Sequence, residues 1–209
     1  MQNISILNLG IGNIASVVRM VDKVGGNPII ITKKEEIRSA EKLILPGVGS
    51  FDVGMQQIGH LGLTHDLVNR IKIDKIPVLG ICLGMQLLCR RSEEGREPGL
   101  GVIAADVVKF QRGVNHQLKI PHMGWNTFST TQENSILPYT QIEQRFYFVH
   151  SYYVKPDDEN IMIGATDYGG VFCSAFQKNN VFGVQFHPEK SHKFGLAVMS
   201  RFIGFQIPC

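Results

Sequence analysis

Charge is scarce in this sequence. Only 19% of its 209 residues are Asp, Glu, Lys or Arg, and the formal net charge is +3. So weak a balance gives no basic footprint for nucleic acid. Cysteine is sparse as well. Cys82, Cys89, Cys173 and Cys209 include no C-x-x-C pair, which removes the main support for a zinc site or a thioredoxin-like redox motif. Neither a metal nor a cofactor is expected. Long apolar runs are also missing. The longest, Ile76–Cys89, has 14 residues, short of the roughly 20 that span a bilayer. The first 18 residues carry no charge, so the basic start of a secretory signal is lacking, and Asn3, Asn8 and Asn13 interrupt the apolar pattern. A reducing cytoplasm is the expected setting, with every cysteine a thiol and no membrane involved. Pro and Gly total 31 with no period, which excludes collagen and a Pro/Gly linker.

What is present supports a sizeable core. Apolar residues make up 44% of the chain and the mean hydropathy is +0.02, outside the range of disordered chains. Residues 1–209 read as a single domain. The first half alternates short apolar runs with helical patterns. Strands are predicted at Ile4–Leu9, Pro28–Ile31, Lys42–Leu45 and Ile76–Gly80, and helices at Asn13–Val24, Phe51–Arg70 and Leu83–Arg90. The second helix has a break near Gly59–Gly62, and Gly25-Gly26 stops the first. The second half is strand-rich, at Val102–Phe110, Phe146–Tyr153, Ile161–Thr166, Val171–Gln177 and Val181–Phe186. A hairpin turn falls at Lys178–Asn180, and an amphipathic helix closes the chain at Ser191–Phe205. The fold class is α/β: an open, mostly parallel sheet flanked by helices, with added antiparallel strands in the second half.

The most informative segment is Gly80-Ile81-Cys82-Leu83-Gly84, a G-x-C-x-G at a strand-to-helix turn. Its serine counterpart is a nucleophile elbow. A sharp turn pushes the side chain clear of the backbone, glycines let strand and helix approach, and the helix N-terminus favours a thiolate. Alone, the motif also suits a buried structural cysteine. A thiolate mechanism needs a histidine with an orienting partner. His187 ends an alternating strand at Phe186-His187-Pro188-Glu189. If the extended geometry persists, Glu189 projects to the same side as His187. His60, His65, His116 and His192 lie in polar or helical contexts and are expected to face solvent. His122 and His150 lie in apolar–aromatic segments without metal-ligand spacing. Leu45-Pro46-Gly47-Val48-Gly49-Ser50-Phe51 follows a predicted strand, and its glycines free backbone N–H groups to form an oxyanion hole with Leu83 N–H. All three segments follow the C-terminal end of a strand, where open parallel sheets bind ligands.

At this point the sequence resembles the class I (triad) glutamine amidotransferases. Gly80–Gln86 (GICLGMQ) and Gly183–Glu189 (GVQFHPE) look like the two signature segments of that family. Gly10–Ile14, Leu45–Phe51, Pro121–Asn126 and Tyr147–Tyr152 narrow the likeness to the glutaminase subunits of imidazole glycerol phosphate synthases. The resemblance implies that Cys82 attacks the carboxamide of glutamine, that His187 moves the proton and that Glu189 orients His187. It implies that Gly47, Val48, Gly49, Leu83, Gln86, Ser151 and Tyr152 form the oxyanion hole or hold glutamine. It further implies a heterodimer with a (β/α)8-barrel cyclase of histidine biosynthesis. Asn13, His122, Met123, Trp125, Tyr147 and Lys190 would lie at or near the docking face. One departure stands out: the first strand commonly ends D-Y-G in this family and here reads Asn8-Leu9-Gly10. Two alternatives stand beside this reading: a paralogous glutaminase feeding a partner that amidates a cell-surface sugar, and a thiol peptidase on a related scaffold.

Overall fold

A computed structural model describes residues 1–111, 118–138 and 143–207. His116 and Cys209 lie outside them. Among the described residues, five strands form a parallel unit in the order β2-β1-β3-β4-β12: β1 (Asn3–Leu7), β2 (Asn27–Ile31), β3 (Leu43–Gly47), β4 (Val78–Cys82) and β12 (Val181–Val184). The sheet continues antiparallel through β11 (Val171–Lys178), β10 (Met162–Asp167), β7 (His122–Thr130) and β8 (Gln144–His150). A branch runs from β11 to β9 (Tyr152–Pro156), β6 (Ala105–Lys109) and β5 (Arg91–Ser92).

Alternation along the strands sends side chains to two cores. Ile4, Ile6, Leu79, Ile81, Phe182 and Val184 join one core, against α1 (Ile14–Lys23) and α6 (His192–Gly204). Leu7, Leu43, Leu45 and Val78 join the other, against α2 (Lys34–Ser39), α3 (Phe51–His60), α4 (Thr64–Lys72) and α5 (Leu83–Leu87). Helices therefore cover both faces, as the βαβ rhythm requires. Gly25, with φ +87°, turns the chain out of α1, and Asn179, with φ +54°, makes the β11–β12 turn.

Three expectations need correction. The helix after the elbow ends at Leu87 rather than Arg90, so Cys89 sits in the turn beyond it, fully buried. The strand expected at Phe146–Tyr153 is two strands, split at Ser151 because β8 pairs with β7 while β9 pairs with β6 and β11. Strand β7 was not expected at all: Gly124 and Asn126 dilute its alternation, and its pairing with β8 supplies what local propensity does not.

Candidate active site

The C-terminal ends of β3, β4 and β12 lie side by side, with Gly47 opposite Cys82 in register. Cys82 is the last residue of β4 and the N-cap of α5, at φ +51° and ψ −108°. A side chain at such a φ costs about 1–3 kcal/mol and persists only where the surroundings impose it. Here they do. A Cβ on Gly80 would stand 2.7 Å from Gly84 O and from Met85 N, and a Cβ on Gly84 would overlap the Leu45 carbonyl. The two glycines let α5 lie directly on the strand ends, and the chain turns sharply at Cys82.

Above the elbow, a Cβ on Gly47 would stand 3.0 Å from Leu83 Cβ, and Gly49 has φ +113°. The 47–49 loop thus covers the residue after Cys82, and its Val48 is half-exposed. On the other side it meets the Gly10–Asn13 loop, where a Cβ on Gly12 would reach Val48 N at 3.3 Å.

His187 follows β12 and is 1% exposed. Its N–H donates to Tyr147 O at 2.9 Å, and its carbonyl accepts from Ser191 Oγ at 2.7 Å, so the backbone is clamped on both sides. Its Nδ1 meets Glu189 Oε1 at 2.7 Å. The geometry of that pair differs from expectation. Residues Pro188–Lys190 form a 3-10 turn rather than extended chain, and the turn brings Glu189 back onto the ring. Burial by itself lowers the His187 pKa. The neighbouring Cys82 sulfur, then Glu189, outweighs burial and pushes His187 up to about 10. His187 Nε2 and Glu189 Oε2 are buried without a hydrogen-bond partner among the described residues. The ring therefore has one nitrogen held by a carboxylate and one free beside the sulfur.

Gln86, on the first turns of α5, donates from Nε2 to Tyr152 O at 3.1 Å and to Gln185 Oε1 at 3.0 Å. Tyr152 opens β9 just after half-buried Ser151. Gly47 stands opposite Cys82 in register, and Tyr152 O connects to Cys82 through Gln86 and Gln185. Gln185, whose Nε2 donates to Cys82 Sγ at 3.7 Å, is a neighbour the sequence reading missed. Its place in the GVQFHPE segment was the available signal.

The expected docking residues do not all share one face. Met123 is 62% exposed and Trp125 42%, both pointing outward from β7. Trp125 stacks on His192 at 5.3 Å, and Lys190 covers the Tyr147 ring at 5.3 Å. Asn13 is exposed at the start of α1. His122 is a correction: it is 3% exposed and points inward, because it alternates with Met123 along β7. A cavity of about 1040 Å³ lies beside Asn179–Val181, at the opposite end of β12 from this site.

The family model for class-I glutamine amidotransferases matches residues 5–203. The chain belongs to that family. Among class-I glutamine amidotransferases with curated names, it is 48% identical over 200 residues to imidazole glycerol phosphate synthase subunit HisH 2 of Pseudomonas aeruginosa, covering 96% of this chain and 98% of the relative. It is 49% identical over 200 residues to subunit HisH 2 of Methanococcus maripaludis, with the same coverage. The fold is shared more widely. A putative GMP synthase component from Thermoplasma acidophilum superposes with TM-score 0.74 at 20% identity, covering 98% of this chain and 93% of that one.

Proposed function

We propose that the chain is the glutaminase subunit of an imidazole glycerol phosphate synthase, hydrolysing glutamine to glutamate and ammonia. The observation that carries the residue assignment is His187: buried, held by Glu189 at 2.7 Å, with its other nitrogen unpartnered beside Cys82 in a strained elbow. In this reading the Cys82 sulfur adds to the carboxamide carbon. The N–H groups of the 47–49 loop and Leu83 receive the oxyanion, and protonated His187 gives its proton to the departing nitrogen. Ammonia leaves and a glutamyl thioester remains. His187, now neutral, takes a proton from water, which attacks the thioester; glutamate departs and the sulfur is restored. Glu189 holds the ring through both steps. Gln86, Ser151 and Tyr152 hold the substrate.

The partner in this reading is a (β/α)8-barrel cyclase. It docks on the face formed by Asn13, Met123, Trp125, Tyr147 and Lys190, and it consumes the ammonia in histidine biosynthesis. Exposed Met123 and Trp125 supply the apolar anchors such a face requires. Free thiols at Cys82, Cys89 and Cys173 suit a cytoplasmic setting, and no described helix is long and apolar enough to cross a membrane.

A second reading has one specific observation behind it. The chain is 49% identical to subunit HisH 2 of M. maripaludis but 43% identical to subunit HisH 1 of the same organism. That grouping, with Asn8-Leu9-Gly10 just after β1, favours a second-copy glutaminase, and the partner such a copy would serve in this reading is one that amidates a sugar. Glutamate release separates the two. The chain is mixed with each purified candidate partner; the histidine-pathway cyclase should stimulate release and the sugar-amidating partner should not. The opposite result selects the second reading.

A further inference from the structure

Beside the Cys82 group lies a second buried polar cluster that the mechanism above leaves without a task. His122 and His150 stand opposite one another on β7 and β8, are 3% and 6% exposed, and bond ring to ring at 3.0 Å. Phe110, Phe148, Tyr168 and Phe172 surround them. A buried polar atom without a partner costs about 1–3 kcal/mol, and these rings avoid that cost by joining a chain. His150 Nδ1 lies 2.8 Å from the Tyr152 carbonyl, and Asn126 Nδ2 lies 3.2 Å from His122 Nε2.

The Tyr152 carbonyl determines where every proton in this chain points, because a carbonyl only accepts. His150 Nδ1 must carry the proton that meets it. In a neutral ring, Nε2 is then bare and accepts, so His122 Nδ1 carries the next proton. His122 Nε2 is bare in turn and accepts from the Asn126 amide. That amide also donates to the Asp167 carbonyl at 3.0 Å. A second backbone acceptor, at the far end, thus requires the same polarity. Burial keeps both rings neutral, pushing His122 down to about 4 and His150 down to about 3.

From the same carbonyl a second chain of hydrogen bonds runs toward the sulfur. Tyr152 O faces Gln86 at 3.1 Å, so the Gln86 atom there is its NH₂. The second Gln86 proton meets the Gln185 side chain at 3.0 Å, so that atom is the Gln185 carbonyl oxygen. The Gln185 NH₂ is thereby turned to Cys82 Sγ at 3.7 Å, and Gln185 is fully buried. An N–H held against a sulfur is the arrangement an anionic sulfur calls for.

We propose that Gln185 is a further catalytic residue, an amide donor to the Cys82 sulfur. His150 and His122 are positioning residues that hold it in that orientation through Tyr152 O and Gln86. The proposal rests on the reading of Cys82 as the nucleophile.

Its first test needs no turnover. In the full chain, alkylation of Cys82 by iodoacetamide is followed by peptide mass spectrometry. Gln185→Glu keeps the shape and the acceptor for Gln86 but sets an acceptor against the sulfur. Its rate should fall about tenfold or more, the effect of losing a hydrogen bond to a charged group. His150→Asn places an amide N–H where Nδ1 was and should recover most of the wild-type rate. His150→Gln and His150→Phe should fall several-fold. A packing role alone would put Phe above Asn, and that order, or an unchanged rate in Gln185→Glu, overturns the proposal. Should the variants not fold, the wild-type imidazole ¹⁵N spectrum decides. Both rings should be protonated at Nδ1 only, and an Nε2–H tautomer or an imidazolium at either ring overturns the chain. Glutamine turnover is followed separately in the complex. Normal turnover with a flat alkylation series overturns this proposal alone. The expected alkylation series without turnover overturns the glutaminase reading and leaves Gln185 as donor to a thiol of other chemistry.

Discussion

The neutral His122–His150 pair should make the protein unusually sensitive to mild acid. Both rings have an ordinary value of 6.5, lowered by burial to about 4 and about 3. Between those limits the unfolded chain binds protons that the folded chain refuses, so stability falls as pH falls. Each ring contributes about 1.4 kcal/mol per pH unit in that window. From pH 6.5 to 4.5 the pair should therefore remove about 5 kcal/mol, comparable to the whole stability of many domains. The ion-paired carboxylates act lower. Asp66, bonded by Arg38, and Asp106, bonded by Arg91, are held below 3.8. His187 acts on the other side: its pKa is raised to about 10, so its contribution is complete below pH 6.5 and fades as pH rises toward 10. The assay is urea unfolding at half-unit steps from pH 6.5 to 4.5, below the range in which His187 contributes a slope. The comparison is the double variant His122→Phe/His150→Phe, whose rings can still pack on Phe110, Phe148 and Tyr168. Wild type should lose stability steeply, and the double variant should be nearly flat. Parallel curves would refute the buried, neutral pair.

Three further outcomes follow from particular contacts. Gly84→Ala drives a methyl group into the Leu45 carbonyl; it should displace α5 and lower glutamine turnover at least about tenfold, with thermal unfolding reporting any global loss. Lys42 is 1% exposed and donates from Nζ to the Phe202, Ile203 and Phe205 carbonyls at 3.0, 2.6 and 2.7 Å, closing the end of α6. Lys42→Met should cost about 2–4 kcal/mol in urea unfolding and leave the KM for glutamine unchanged. Trp125→Ala, by contrast, should weaken partner binding about tenfold or more in titration calorimetry with little effect on the free chain's stability.

Much of this arrangement was legible because its determinants are local. Gly80 and Gly84 bracket Cys82 within five residues, and the steric reason for each is a contact within the same turn or to the adjacent strand. The closeness of Glu189 to His187 was legible too, but not its cause. Extended chain would put Glu189 on the same side as His187, whereas the turn that forms is accompanied by Ser191 Oγ bonding both Tyr147 N and His187 O, contacts from β8 that the local pattern does not contain. What escaped is non-local. The inward aim of His122 depends on the register of β7 against β8, and the split at Ser151 depends on two different pairing partners. Gln185 meets Gln86 and Cys82 across about a hundred residues of chain, a distance no local pattern spans.

The central claim is that Cys82 attacks glutamine and carries its acyl group. The most direct measurement is intact-mass and peptide analysis of the chain, acid-quenched during turnover with its partner. The account predicts a glutamyl adduct on the Cys82 peptide, released by hydroxylamine, and no adduct or glutamate formation in Cys82→Ala. Glutamate formed by Cys82→Ala at the wild-type rate would contradict it.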